Sequence, residues 1–197
     1  RRSPRSTSKT SCERSNSPKG QVCPGPGADK TARVRDPRID EYARLLVERS
    51  VGIQPGWQVS VRGTPLARPL IEAVIERIAR IGAYPIVQLA FEQIGGPFAR
   101  EAPLEVLREP APLQRRIWEE VDAFIAVWAP ENAREGADLS EERRAALQQM
   151  TSVMRERTMA MAAPWVIAEY PVHSVAQDAG MTIAQYNSPA KTVLLAE

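Results

Sequence analysis

The stretch that decides the fold covers residues 57–91 and reads WQVSVRGTPLARPLIEAVIERIARIGAYPIVQLAF. Its first six residues, 57–62, alternate in side-chain character as the residues of a strand do. Apolar residues then recur at helical spacing up to Ile81, and Gly82 is suited to end that helix. A second strand-like run follows at 84–91. Strand, helix and strand in this order predict a parallel β-α-β unit.

The same alternation continues on both sides of this stretch. Upstream, Asp36 is suited to cap a helix whose first turn accommodates Pro37. Downstream, the predicted elements are a helix over 102–120 interrupted at Pro110 and Pro112, a strand over 122–128, a long helix from Asp138 or Ser140 to Pro164, a strand over 165–170 and a short helix over 172–180. We therefore predict an α/β fold with an open, mainly parallel sheet of about four strands and helices on both faces.

Residues 1–35 differ in composition from the rest of the chain. They are rich in Ser, Pro, Gly, Arg and Lys and contain few large apolar residues, so we predict a disordered extension. Both cysteines, Cys12 and Cys23, lie here at a spacing that fits no zinc pattern. The segment shares the Arg and Ser content of transit peptides, but its prolines and glycines oppose the amphipathic helix of an import signal.

The charge of the chain is unevenly distributed. Residues 1–36 hold nine Lys and Arg against three Asp and Glu, whereas residues 37–197 hold 17 against 21. The predicted folded part is therefore mildly acidic, which argues against a nucleic-acid surface. No apolar run approaches the roughly 18 residues that a membrane helix needs, so we predict no membrane partner.

The turn at residues 62–68, between the first strand and its helix, is where an α/β protein would bind a nucleotide. It has a single glycine, and neither a dinucleotide-binding nor a P-loop pattern is present. Two interpretations remain open. Arg62 and Arg68 could bind a small anion at the helix N-terminus, or they could be solvated residues of an ordinary turn, which is the interpretation we favour.

Candidate catalytic and metal-binding residues are few. His173 is the only histidine, and it stands outside any metal-binding motif. Glu131 and Glu169 lie near predicted strand ends, where α/β proteins place their sites, although Glu169 could equally point to solvent. No nucleophile elbow is present. We therefore predict no catalytic, cofactor-binding or metal-binding residue in this chain.

Nine short blocks carry a family resemblance between about residues 36 and 183. They are YARLLV (42–47), QPGWQV (54–59), RGTPLARPLI (62–71), GAYP (82–85), AFIA (123–126), APEN (129–132), PWV (164–166), YP (170–171) and AGM (179–181). In order and spacing these blocks resemble the thermostable aminopeptidase T and aminopeptidase S family of metallopeptidases. None of them is a catalytic motif.

The resemblance implies a cytoplasmic exopeptidase that releases N-terminal amino acids from peptides. The resemblance also implies that the enzyme works as a homodimer and uses two divalent metal ions, zinc or cobalt. Their Glu, His, Tyr and Asp ligands lie in a separate, later domain, so the resemblance assigns no ligand to any position here. We expect residues 36–183 to be the non-catalytic N-terminal α/β domain, residues 184–197 to be a divergent or truncated end, and the chain by itself to be inactive and to bind no metal.

Two alternative hypotheses remain from the residues alone. The first is a stand-alone α/β module that binds a small anion or a nucleotide, which the missing glycine pattern disfavours. The second is a structural subunit directed by a transit peptide, which the helix-breaking residues of the extension disfavour.

Overall fold

The computed structural model describes residues 36–92, 94 and 96–187. The predictions for residues 1–35 and for 188–197 lie outside the described residues. Four strands form one sheet, and every pair in it is parallel. The strands are β1 (Gln58–Gly63), β2 (Tyr84–Leu89), β3 (Ala123–Trp128) and β4 (Trp165–Glu169), in the spatial order β2-β1-β3-β4. The predicted fold class is therefore confirmed.

Helices precede, connect and follow these strands. They are α1 (Pro37–Arg44), α2 (Arg68–Ile81), α3 (Pro97–Glu101), α4 (Leu104–Leu107), α5 (Pro112–Glu120), α6 (Glu141–Met150), α7 (Ser152–Met159), α8 (His173–Asp178) and α9 (Ile183–Tyr186). A π-helical segment, Leu45–Ser50, continues α1, and a 3₁₀ turn, Pro65–Ala67, precedes α2. No helix of the described residues is both long and apolar enough to cross a membrane.

Each face of the sheet packs against its own helices. On one face, Val59, Val61 and Ile125 join the main core with buried residues of α1 and α2. On the other face, Phe124 packs with Trp118 of α5, and residues of α7 lie against this second cluster. Because side chains alternate along a strand, neighbouring residues of β3 serve both cores. The central strands thus pack against helices on both faces, as is usual for a covered parallel sheet.

The helix caps follow the sequence signals. The Asp36 side chain accepts a hydrogen bond from the Arg38 backbone N–H at 3.0 Å, and Ser140 accepts one from Arg143 at 3.3 Å. Gly82 has a φ of 85°, the left-handed conformation that ends α2. Of the two caps considered for α6, Ser140 is correct. Asp138 instead accepts a bond from Arg100 Nε at 2.9 Å.

Two helix predictions differ from the structure. The long helix expected up to Pro164 divides at Thr151, whose hydroxyl donates to the Leu147 carbonyl at 3.2 Å. Such back-bonding by threonine competes with regular helical bonds. The helix expected over 102–120 is two helices, α4 and α5, separated at 108–111, which includes the predicted interruption at Pro110, whereas Pro112 begins α5. A further helix, α3, was not predicted and ends at Glu101, shortly before Pro103, which supplies no backbone donor.

Arginine side chains satisfy the carboxyl ends of two of these short helices. Arg143 of α6 donates to the carbonyls of Ala99 and Ala102, both at 2.9 Å, at the end of α3. Arg157 of α7 donates to the carbonyls of Trp118 at 2.6 Å and Val121 at 3.0 Å, at the end of α5. A cation at a helix C-terminus also interacts favourably with the helix dipole. The short helices are therefore held by contacts from distant parts of the chain.

Candidate functional site

The carboxyl ends of the four parallel strands lie at one edge of the sheet, which we call the carboxyl edge. The strand order reverses between β1 and β3, because the chain leaves β1 towards β2 and later crosses to β3 on the other side. In open α/β sheets, ligands bind outside the strand ends at this reversal. The residues there are Gly63 at the end of β1, Thr64 after it, and Ala129 to Glu131 after β3.

Hydrogen bonds from Thr64, after β1, and from Ser174 of α8 close the reversal point. Thr64 is buried, and its hydroxyl donates to the Ala129 carbonyl at 2.6 Å. The Ser174 hydroxyl donates to the Pro130 carbonyl at 2.5 Å. A Cβ at Gly63 would lie 2.8 Å from Ile71 Cδ1 and 3.3 Å from the Val127 carbonyl oxygen, so the close approach here depends on glycine. These contacts hold the segments after β1 and β3 close together at this part of the carboxyl edge.

We predict that Thr64→Val lowers the free energy of unfolding by about 1–2 kcal/mol, because it removes a buried hydrogen bond while nearly preserving shape. Thr151→Val is the matched control, and we expect a loss of about 0.5 kcal/mol or less there, because that hydroxyl makes only local helical bonds. Urea denaturation followed by circular dichroism measures both. Equal losses in the two variants would contradict a special role for Thr64.

Glu169, at the end of β4, lies among tyrosines. Tyr186 donates a hydrogen bond to its carboxylate, and the Tyr42 hydroxyl lies 3.5 Å from its backbone carbonyl oxygen. Burial raises the pKa of Tyr42 and also that of Tyr170, which makes both phenols harder to ionise than an exposed tyrosine. Glu169 is partly buried, so its side chain is not the solvent-facing strand residue that the sequence also allowed. Its carboxylate ties α9 to the end of β4.

The structure does not bring Arg62 and Arg68 together at the start of α2. Arg68 is exposed and its Nε lies 2.6 Å from Glu72 Oε1, one helical turn away. Arg62 turns to the other face of the sheet, where its Nη1 lies 3.8 Å from Met154 Sδ. The expectation that both arginines are solvated is wrong for Arg62, which is partly buried and whose pKa is lowered by burial.

The remaining candidates do not assemble a centre. His173 is exposed on the first residue of α8, and Glu131 is exposed after β3. Within residues 36–92, 94 and 96–187, no group of three or more His, Cys, Asp or Glu side chains is placed to hold a metal ion. That no catalytic or ligand residue lies in this chain stays a prediction, since the absence of a cluster here does not test it.

A comparison with protein families decides the relationship. Residues 35–196 match the sequence profile of the family described as thermophilic metalloprotease (M29). The chain belongs to this M29 family. The match runs past Ile183, where we placed the end of the α/β domain, and so includes most of the stretch that we expected to diverge. The family resemblance drawn from the nine blocks is confirmed.

A solved structure shares the fold of this M29 chain. The wild-type AmpT from Thermus thermophilus has a TM-score of 0.52 and 16% sequence identity to it. The similarity covers 70% of this chain and 37% of the AmpT chain. At this identity the likeness shows the fold alone. A comparison with curated protein sequences gave no match.

Membership of the M29 family makes the chain a relative of metal-dependent peptidases, which implies the use of a divalent metal ion. The described residues do not fit such a centre, since the histidine is exposed and Glu169 is bound to Tyr186. Metal ligands normally come from several helices, strands or loops, and their non-coordinating atoms form hydrogen bonds with neighbouring groups. No catalytic step can therefore be derived from the side chains of this part of the protein.

The sequence analysis did not predict a cavity on the face of the sheet that packs against α7. Ser60 and Arg62 are among the residues that line it. A signal was present. Ser60 and Arg62 alternate with Val59 and Val61 along the first strand of a predicted parallel sheet, whose strands are usually apolar on both faces. A polar face on a doubly covered strand marks a position where polar groups need a partner.

Proposed function

We propose that this chain provides the α/β domain of a metal-dependent aminopeptidase that releases N-terminal amino acids from peptides. The observation that carries the proposal is the match of residues 35–196 to the M29 metalloprotease family. In this proposal residues 36–183 are the N-terminal, non-catalytic domain, and the protein acts in the cytoplasm as a homodimer. The fold shared with AmpT is compatible with it.

The metal ions of this enzyme would be two divalent cations, zinc or cobalt, held by ligands outside the described residues. Two facts support the placement of the metal ligands outside the described residues. The chain spans only 37% of AmpT, and the described residues offer no cluster of three metal-ligating side chains. A hydrolytic metal centre needs several converging ligands and an open position for water. The α/β domain would then act by positioning the substrate and narrowing access to the metal ions.

Exposed apolar side chains near the end of β2 are suited to contact such a second domain. Leu89 is 58% exposed and Phe91 is 84% exposed, and Phe98 of α3 is 58% exposed. Several large exposed apolar side chains within one short stretch of the chain are suited to a contact surface. In the proposed enzyme this end of the sheet would face the metal-binding domain.

The proposal predicts how activity depends on the second domain. The chain alone and a chimera joining it to the part of AmpT that it does not cover would be assayed on leucine 4-nitroanilide with added Co²⁺. We expect no turnover by the chain alone, because it lacks converging ligands for the metal. We expect turnover by the chimera that stops when the metal is chelated. Metal-dependent turnover by the chain alone, or a folded but inactive chimera, would contradict the proposal.

A further inference from the structure

The face of the sheet that packs against α5 and α7 carries two polar side chains among apolar ones. The strand register places Ser60 opposite Phe124, and Phe124 opposite Trp165. Arg62 lies opposite Ala126 in the next row on the same face. Towards β4 this face is incompletely covered, since Trp165 is 38% exposed. The two polar groups thus lie on a central strand beside an opening.

A cavity of about 250 Å³ lies between this face and α7. Its lining includes Ser60, Arg62, Phe124, Met154 and Trp165. The lining holds no Asp or Glu in the described part of the chain. It is therefore a mainly apolar space with two positive groups, Arg62 and the exposed Arg155, and it is large enough for a small organic molecule.

Neither polar group is satisfied by the described residues. Ser60 is fully buried, and its Oγ has no hydrogen-bond partner there. The partner of the Arg62 side chain is the thioether of Met154 at 3.8 Å, and within the described ranges no carboxylate lies at ion-pair distance. A thioether is a weak acceptor, and an unpaired, partly desolvated guanidinium is costly. An anion at this position would offset that cost.

We propose that this cavity binds a small monocarboxylate with a short apolar tail, held by Arg62 and Ser60. A guanidinium pairs with a carboxylate through two parallel hydrogen bonds, and the serine hydroxyl supplies a further donor. The tail packs against Phe124, Met154 and Trp165. A free α-amino acid is a poor ligand, because its ammonium group would have no acidic partner in the lining. The site therefore differs from one for the amino acid that an aminopeptidase releases.

The test uses the full chain with ¹³C-labelled methionine methyl groups and follows their NMR signals during titration with 3-methylbutanoate. Met154 and Met159 line the cavity and should shift, whereas Met181, which is not part of the lining, should not. Parallel titrations use 3-methylbutan-1-ol, leucine and inorganic phosphate. We expect the carboxylate to bind at least roughly tenfold more tightly than each of them, as one charge-assisted hydrogen bond would give.

Two variants separate the cation from the apolar lining. In Arg62→Met the preference for the carboxylate over the alcohol should disappear, while the alcohol still shifts Met154. In Arg68→Met, which removes a surface cation paired with Glu72, the preference should stay. The proposal is overturned if the carboxylate and the alcohol bind equally to the unchanged chain, if leucine or phosphate binds as tightly, if Arg62→Met retains the preference, or if no probe shifts Met154.

Discussion

Replacing Ile125 by alanine is expected to lower the free energy of unfolding by about 2–5 kcal/mol. Ile125 lies in the central strand β3, is 1% exposed, and is in register with Val61 of β1 and Val166 of β4. Truncation removes buried methyl and methylene groups and leaves a cavity between the sheet and the main core, which closely packed neighbours fill only partly.

Ile167→Ala is the matched control for this loss. Ile167 belongs to the edge strand β4 and is 64% exposed, so the same truncation should cost about 1 kcal/mol or less. Chemical denaturation would measure both differences in the free energy of unfolding, with an m-value that is the same in both variants and the unchanged chain. If Ile125→Ala cost no more than Ile167→Ala, the central position of β3 in the sheet would be wrong.

Arg157→Met is expected to lower the free energy of unfolding by about 2–3 kcal/mol, because two hydrogen bonds from a charged donor are lost. The guanidinium of Arg157 bonds to the carbonyls of Trp118 and Val121 and so joins α7 to the end of α5. Methionine retains much of the aliphatic length, so the loss reports mainly on these bonds. Since α5 and α7 cover the same face of the sheet, separating them weakens the second core.

Arg144→Met provides the comparison, because Arg144 is exposed on α6 and its removal should change stability by about 0.5 kcal/mol or less. The Arg157→Met loss should also persist at high salt, since partly buried contacts are screened less than exposed ones. A loss that vanished in high salt would indicate a general surface-charge effect in place of the two directed bonds.

Much of this architecture could be predicted because it is encoded locally. The periodicity at 57–91 placed β1, α2 and β2 to within two residues. Gly82 marked the end of α2, and the start of α6 was narrowed to a cap at Asp138 or Ser140, by chemistry that acts within one turn. The alternation of strands and helices then limited the sheet to parallel pairing. The spatial order of the strands was beyond such signals, because it depends on contacts between residues far apart in sequence.

The helix breaks and the candidate sites show where local reasoning fails. Thr151 divides a helix whose sequence pattern looks continuous, because its hydroxyl bonds to the Leu147 carbonyl. Local helix propensity does not decide whether a threonine continues a helix or interrupts it in this way. Arg62 was grouped with Arg68 by sequence proximity, yet it contacts Met154, which is 92 residues away. The alternation of a strand sends neighbouring side chains to opposite faces, so proximity in sequence is a poor guide to a shared site.

A calorimetric titration of Zn²⁺ and Co²⁺ into the chain is the most direct measurement of whether its own residues hold a metal centre. A Cys12→Ser/Cys23→Ser variant excludes the thiols, which are good zinc ligands. We predict no stoichiometric site, and heats that are unchanged by His173→Ala. Stoichiometric binding with a Kd on the order of micromolar that is lost in His173→Ala or Glu169→Gln would contradict the assignment of the metal ions to another part of the enzyme.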